Sequence, residues 1–266
     1  MTDIFFPVVK VPIEEVSPGF EHPSGLSHAI VVTKPDGIKR VVQYCSDLYY
    51  LVPNAVIVPA FEQEISRFFK VDKKIRVQRW ARFFIDFILR DKTLIINPKD
   101  AIFPRITVIN SYDGSIRYHF QMGFFRQICS NGLTVSVGDT KEIVSMHTPK
   151  LGKETSFEAV LGMTSEFLAE SSEISETYRE LQDQPVSDWM MRIEEVVEET
   201  MFPISLQEDV VERMEKELIQ MPGIKPNDWL VYNAFNYQLN HNEELKAKES
   251  KKDEMDQEVL GYLLKY

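Results

Sequence analysis

Glycine and cysteine are both scarce in this chain. Eleven glycines are scattered over 266 residues and no G-x-x-x-x-G-K-[ST] run is present, so an ATPase or dinucleotide enzyme is not expected. Two cysteines, Cys45 and Cys129, make no disulfide framework in a chain of this size. The five histidines (His22, His28, His119, His147 and His241) show no pairing at two, three or four residues, which leaves no metal site to expect on that pattern. No stretch approaches the ~20 apolar residues of a membrane helix; Phe83 to Leu89 is short and carries Asp86. The opening residues, Met1 to Pro7, lack the basic region and small-residue cleavage site of a signal peptide. Together these absences predict a soluble, cytoplasmic chain with no cofactor, no metal and no membrane contact.

What the chain has is charge, unevenly placed. The net charge is −11, yet residues 1–140 hold 17 Lys+Arg against 14 Asp+Glu, while residues 141–266 hold 13 against 27. A mildly basic half joined to a strongly acidic one suits a nucleic-acid face in the first and a solvated or partner-binding surface in the second.

Seven prolines fall in the first 60 residues (Pro7, Pro12, Pro18, Pro23, Pro35, Pro53, Pro59), and helices should be scarce there because each removes a donor and restrains its predecessor. Ile30–Thr33 and Arg40–Tyr44 flank Lys34-Pro35-Asp36-Gly37, a predicted hairpin. Ser46–Tyr50 reads as a short helix or turn, and Phe61–Phe69 as a helix with Phe61, Ile65 and Phe68/Phe69 on one face. From Lys74 the pattern turns to strands, with Phe83, Ile85, Phe87 and Leu89 opposed to Arg82, Asp86 and Arg90. Beyond Pro149 the spacing is helical: Val186 to Met201, Leu206 to Met221, then Pro226 to His241. Thr155-Ser156-Phe157-Glu158 and Ser205-Leu206-Gln207-Glu208 are capping-box patterns. The charged stretch from Asn242 to Gln257 reads as frayed. The expected class is α+β, a twisted antiparallel β-sheet with helices appended C-terminally. The expected division is a mainly β core with a basic surface over 1–150, a helical region over 151–241 and a charged tail over 242–266.

Two blocks stand out. Arg105 to Val135 holds an Asn110-Ser111-Tyr112-Asp113-Gly114-Ser115 run, then an aromatic and basic segment closing on Cys129-Ser130-Asn131-Gly132. If Asp113-Gly114 is a two-residue turn, Thr107, Ile109, Ile116, Tyr118 and Phe120 share a core face. Asn110, Tyr112, Arg117, His119 and Gln121 then share the other, and a bulged turn would void that register. The second block runs Trp229-Leu230-Val231-Tyr232-Asn233-Ala234-Phe235-Asn236-Tyr237 to His241. In this order the blocks resemble a family of phage- and plasmid-encoded proteins classed as a domain of unknown function. The resemblance implies a mobile-element setting, whose genes often serve replication, recombination or packaging. A short β-meander followed by helices also resembles, in architecture, the single-strand annealing recombinases of phages. Neither likeness carries a catalytic residue to this chain.

The chemistry-bearing stretch is Arg67 to Lys92, with nine cations, three acids and Phe68, Phe69, Trp80, Phe83 and Phe84 interleaved. Cations that track phosphates, beside aromatics that stack on bases, are what single-stranded DNA binding needs. The predicted nucleic-acid residues are Arg76, Arg79, Arg82, Arg90, Arg117 and Arg126 on phosphates, with Trp80, Tyr112 and His119 on bases. The plainer alternative makes the aromatics core and the cations a solvated rim. Asn233, Asn236 and Asn240 lie on one face of the last periodic helix, either fastening it to its neighbours or touching a ligand. Gly132 ends a short helix or sits in a second turn, and a nucleophilic Cys129 would need His119 as its base. A non-enzymatic DNA-binding protein is the first expectation. An interaction module acting through the acidic half is the second, a metal-dependent nuclease built on Asp86 and Asp113 the third, and homo-oligomerisation stays open.

Overall fold

The computed structural model describes residues 4–126, 142–145, 157–242, 244–245, 247 and 249–265. Among them are nine strands: β1 (Val8–Pro12), β2 (His28–Thr33), β3 (Lys39–Cys45), β4 (Val71–Gln78), β5 (Arg82–Leu89), β6 (Leu94–Asn97), β7 (Asp100–Ser111), β8 (Tyr118–Arg126) and β9 (Glu142–Ser145). The helices are α1 (Ile13–Val16), α2 (Asn54–Ile65), α3 (Phe157–Gln182), α4 (Trp189–Glu199), α5 (Gln207–Gln220), α6 (Asp228–His241) and α7 (Glu249–Leu263). The strands form a three-stranded sheet in the order β1-β2-β3 and a six-stranded sheet in the order β4-β5-β7-β8-β9, with β6 paired to β7. The pairings with a defined register are antiparallel. The fold is α+β, with the long helices following the strands.

The chain divides into two compact units, one of Met1–Asp91, Arg105–Met122 and Lys141–Phe167, the other of Lys92–Pro104, Gly123–Thr140 and Leu168–Tyr266.

In the first unit, β2 and β3 form the predicted hairpin. Gly37 takes φ +81°, a conformation open to glycine without strain, and Lys34 N–H donates to the Ile38 carbonyl at 2.9 Å. The prolines do not keep helix out: α2 starts directly after Pro53 and holds Pro59 inside it. Pro59 removes one intrahelical bond, and burial of Val58, Phe61 and Ile65 offsets that loss. Phe61 sits in the core against Phe87 and Phe120, ring centroids 4.9 and 5.1 Å apart. Only the first half of the predicted Phe61–Phe69 helix is therefore real, as the end of an earlier one.

The expected in–out alternation also fails. Strand β5 is buried from Ile85 to Leu89 on both faces, and β7 from Ile102 to Ser111. A strand covered on both sides carries no period-two signal, so the polar residues within it are interior.

In the second unit, α6 is the central helix, buried from Asp228 to Asn236. Its start is fixed by Asn227, whose side chain accepts from Leu230 N–H at 3.0 Å; Asp188 does the same for α4 through Met191 N–H at 3.0 Å. The predicted Ser205 cap does not form. A 3₁₀ turn over Ile204–Leu206 leads into α5, and no side chain caps it. The predicted Thr155 cap and the Cys129–Gly132 segment lie outside the described residues. The stretch expected to fray instead contains most of α7, held by the burial of Met255, Val259, Leu260 and Leu263. Those apolar residues recur at i, i+4, i+5 and i+8, a helical stripe hidden among many charges.

Candidate functional site

Antiparallel pairing of β4, β5 and β7 brings one basic cluster together. Lys74 pairs with Asp86 and Asp86 with Thr107; one step along, Arg76 pairs with Phe84; one step the other way, Ile88 pairs with Arg105. Residues two apart on a strand share a face, so Lys74, Arg76, Phe84, Asp86, Arg105 and Thr107 lie on the same side of the sheet. Asp86 is 4% exposed. Its Oδ1 accepts from the Thr107 hydroxyl at 2.8 Å and lies 3.9 Å from Arg105 Nε, and its Oδ2 lies 3.7 Å from Arg76 Nε. The Arg76 guanidinium lies over the Phe84 ring, 5.1 Å from its centroid. Burial pulls both Lys74 and Arg105 below their ordinary pKa, with Asp86 acting in the opposite direction; Arg76 lowers both, and Arg90 and Arg105 add to the effect on Lys74. Three formal positive charges thus gather around one buried carboxylate.

The remaining cations of the stretch are less available. Arg82 Nε donates to Asp113 at 3.1 Å and Arg90 Nε to Asp72 at 2.6 Å. Arg79 and Trp80 form the β4–β5 turn, with Ala81 N–H donating to the Gln78 carbonyl at 3.1 Å. Both take positive φ, +53° and +61°, a strained conformation for residues with side chains. Arg79 is exposed; Trp80 is half-buried, its ring centroid 6.1 Å from that of Phe6. Arg117 is exposed, and half-buried His119 has Nδ1 2.8 Å from the Arg117 carbonyl oxygen.

Two predicted contact residues are interior. Tyr112 is fully buried among Phe6 and Phe83, and its hydroxyl accepts from Asn54 N–H at 2.7 Å. It cannot stack on a base without unpacking that core. Arg126 is also fully buried. Its Nε donates to both Asp100 oxygens at 2.9 and 2.8 Å, and one terminal nitrogen donates to Glu217 at 2.8 Å. A guanidinium committed to two carboxylates inside the protein is not open to a phosphate. Conversely, Lys74 and Arg105 are not among the predicted phosphate contacts, although Arg105 reads in the sequence as an extension of that surface. Lys74 stands two residues from Arg76, a same-face spacing that does carry a signal.

The metal-dependent alternative finds no support in this geometry. Asp86 pairs with the sheet cations, whereas Asp113 lies just past Ser111, the partner of Arg82. Arg82 is four residues along β5 from Asp86, roughly 13 Å away. Among the described residues, no group of three His, Cys, Asp or Glu side chains is placed to hold a metal ion.

In the described parts of the two blocks, several polar side chains fasten the fold from within. Between Ser111 and Tyr118 the chain makes a six-residue loop rather than a two-residue turn. Asn110 donates to the Val52 carbonyl and to Asn54, both at 2.9 Å, and the Ser111 hydroxyl donates to the Ile116 carbonyl at 2.8 Å. Burial raises the Asp113 pKa, but hydrogen bonds from Ser115 and the ion pair with Arg82 outweigh it and hold the carboxyl low. Gly114 takes φ +67°, and a Cβ there would come 2.5 Å from the Gln43 amide nitrogen. Gly114→Val should therefore lower stability by roughly 1–3 kcal/mol; an unchanged urea midpoint would show that the loop is not strained.

In the second block Trp229 Nε1 donates to Asp100 at 2.7 Å, and Asn236 donates to Asp256 at 2.8 Å. Asn233 and Asn240 donate to the carbonyls one turn back, Trp229 and Asn236. Each asparagine of the stripe makes an internal fastening bond. No curated protein and no solved structure matches this chain. The family model described as Domain of unknown function (DUF932) matches residues 41–260, and the chain belongs to that family.

Proposed function

We propose that this is a non-enzymatic nucleic-acid-binding protein of a phage or plasmid, acting in the host cytoplasm on single-stranded DNA during replication or recombination. The supporting observation is the gathering of Lys74, Arg76 and Arg105 around Asp86 beside the Arg76–Phe84 pair. Phosphates would meet the exposed Lys74 and Arg76 side chains, and an aromatic ring at the same face offers a base something to stack on. Arg79 and Arg117 are exposed and add to the cations offered to phosphate.

Labelled single-stranded oligonucleotides should bind at low salt more tightly than duplex, with affinity falling steeply as salt rises. Lys74→Gln with Arg76→Gln should weaken binding to all sequences and flatten the salt dependence, by roughly 0.7 in the log–log slope per lost phosphate contact. No change in anisotropy at about 50 mM salt would remove this reading.

A second reading, a protein-interaction module, is favoured by one observation. A groove of about 560 Å³ beside α7 is lined by Glu199, Glu254 and Glu258 together with Met201 and Tyr262. If that groove is the working surface, replacing its three glutamates with Gln should abolish capture of a basic partner and leave DNA binding untouched.

A further inference from the structure

The docking of α7 depends on a carboxyl group with no counter-charge in the contacts that hold it. Asp256 lies on the buried side of α7, 4% exposed. Its Oδ1 accepts from the Asn236 amide at 2.8 Å and its Oδ2 meets the Tyr232 hydroxyl at 2.9 Å, both from α6. Tyr232 stacks on Tyr178 of α3, ring centroids 5.9 Å apart, and Trp229 lies 4.7 Å from Tyr178 and 6.0 Å from Tyr232. The wall around the carboxyl is thus aromatic, and its hydrogen-bond partners are an amide and a phenol. Among the described residues the titratable groups facing it are Asp253 on its own helix, Tyr232 on α6 and Tyr178 on α3, and none of these is a cation. On α4, which also packs against α7, the nearest arginine to this helix is Arg192. It lies over Tyr262 and is held by Asp228 through two 3.0 Å bonds, so its charge is already matched.

An ionised carboxylate in such a place loses its hydration and gains only neutral partners. A protonated one fits without loss, because its carbonyl oxygen accepts from Asn236 while its hydroxyl and that of Tyr232 share the 2.9 Å contact. From this geometry we infer that α7 is a proton-dependent latch: it docks on α6 with Asp256 neutral, and release of α7 is coupled to loss of that proton. Burial, reinforced by Asp253, pushes the docked group up to about 7, despite the opposing bonds from Asn236 and Tyr232. The undocked group returns to an ordinary aspartate value near 3.8.

The sign follows from those two values. Below pH 4 both states carry the proton and docking is at its strongest. Between pH 4 and 7 the undocked state gives the proton up while the docked state keeps it, so docking weakens as pH rises. Above 7 both states are ionised and the loss is complete. The latch therefore responds to mild acidification from neutral pH, and it closes on acidification. Its release would uncover the face of α6 that carries Tyr232 and dismantle one wall of the groove formed with Glu254, Glu258 and Tyr262.

Asp256→Asn is the direct test, because asparagine presents the same acceptor and a donor with no ionisation. Opening of α7 can be read in the full chain from amide exchange of residues 249–263, corrected for the intrinsic pH dependence of exchange. The ratio of opening constants, wild type over Asp256→Asn, should rise about tenfold per pH unit between 5 and 6.5 and level off above about 7.5. A ratio independent of pH over that range overturns the latch. Should the variant fail to fold, the carboxyl carbon of Asp256 can be titrated by ¹³C NMR in the wild type. A midpoint near 7 supports the latch, and one near 4 overturns it.

Discussion

Arg126→Leu should cost about 3–5 kcal/mol of stability, among the largest losses expected from a single substitution of a predicted nucleic-acid residue. Removing the guanidinium leaves Asp100 and Glu217 buried with part of their charge unmatched. Asp100 retains Trp229 Nε1 and Glu217 retains Arg213, so the site does not empty, but the central cation that joins the two carboxylates is gone. For a chain of this size the thermal midpoint should fall by roughly 6–20 °C. Under the proposed function, the folded fraction should bind single-stranded DNA as the wild type does. A loss under 1 kcal/mol would mean that water reaches these carboxylates; a flattened salt dependence of binding with unchanged stability would return Arg126 to the DNA surface.

Tyr112→Ala should have an effect of the same order, about 3–5 kcal/mol, because it deletes a ring packed between Phe6 and Phe83 and strips the Asn54 N–H of its acceptor. Burial pushes the phenol up to about 12 even though the Asn54 bond works against it, so the hydroxyl is neutral across the physiological range. Tyr112→Phe separates the two contributions. It keeps the ring and should cost about 1–3 kcal/mol for the orphaned donor, leaving DNA affinity unchanged. Lower affinity with full stability would show that Tyr112 stacks on bases and that its burial opens in solution.

These two residues show where reading the sequence succeeds and where it stops. Local patterns were legible: the Lys34–Gly37 hairpin, and the helices around Ile193, Met214 and Trp229, follow from turn chemistry and 3.6-residue spacing. Helix α2 was missed because proline was weighed by its local cost, while the burial of Val58, Phe61 and Ile65 is a tertiary gain. Arg126 was counted among surface cations because its partners are 26 and 91 residues away, and no local window contains them. Of the predicted DNA-binding residues, Arg76 lies in the basic cluster, where register rather than composition brings Lys74 and Arg105 beside it. The Asn233/Asn236/Asn240 stripe was legible as a fastening face, though its target Asp256 lay in a stretch dismissed for its charge.

Among the described strands β4 pairs only with β5 and so ends the sheet on that side. Lys73, Lys74 and Arg76 would bring like charges together if two copies joined edge to edge, which protects the molecule against polymerisation. Cations suited to gripping phosphate therefore also serve as a barrier to aggregation. Neutralising them removes both properties at once, and a preparation carrying Lys74→Gln and Arg76→Gln should scatter more light at high concentration than one carrying Lys74→Glu and Arg76→Glu. Binding comparisons that use the glutamine pair thus belong at low protein concentration, where the edges seldom meet.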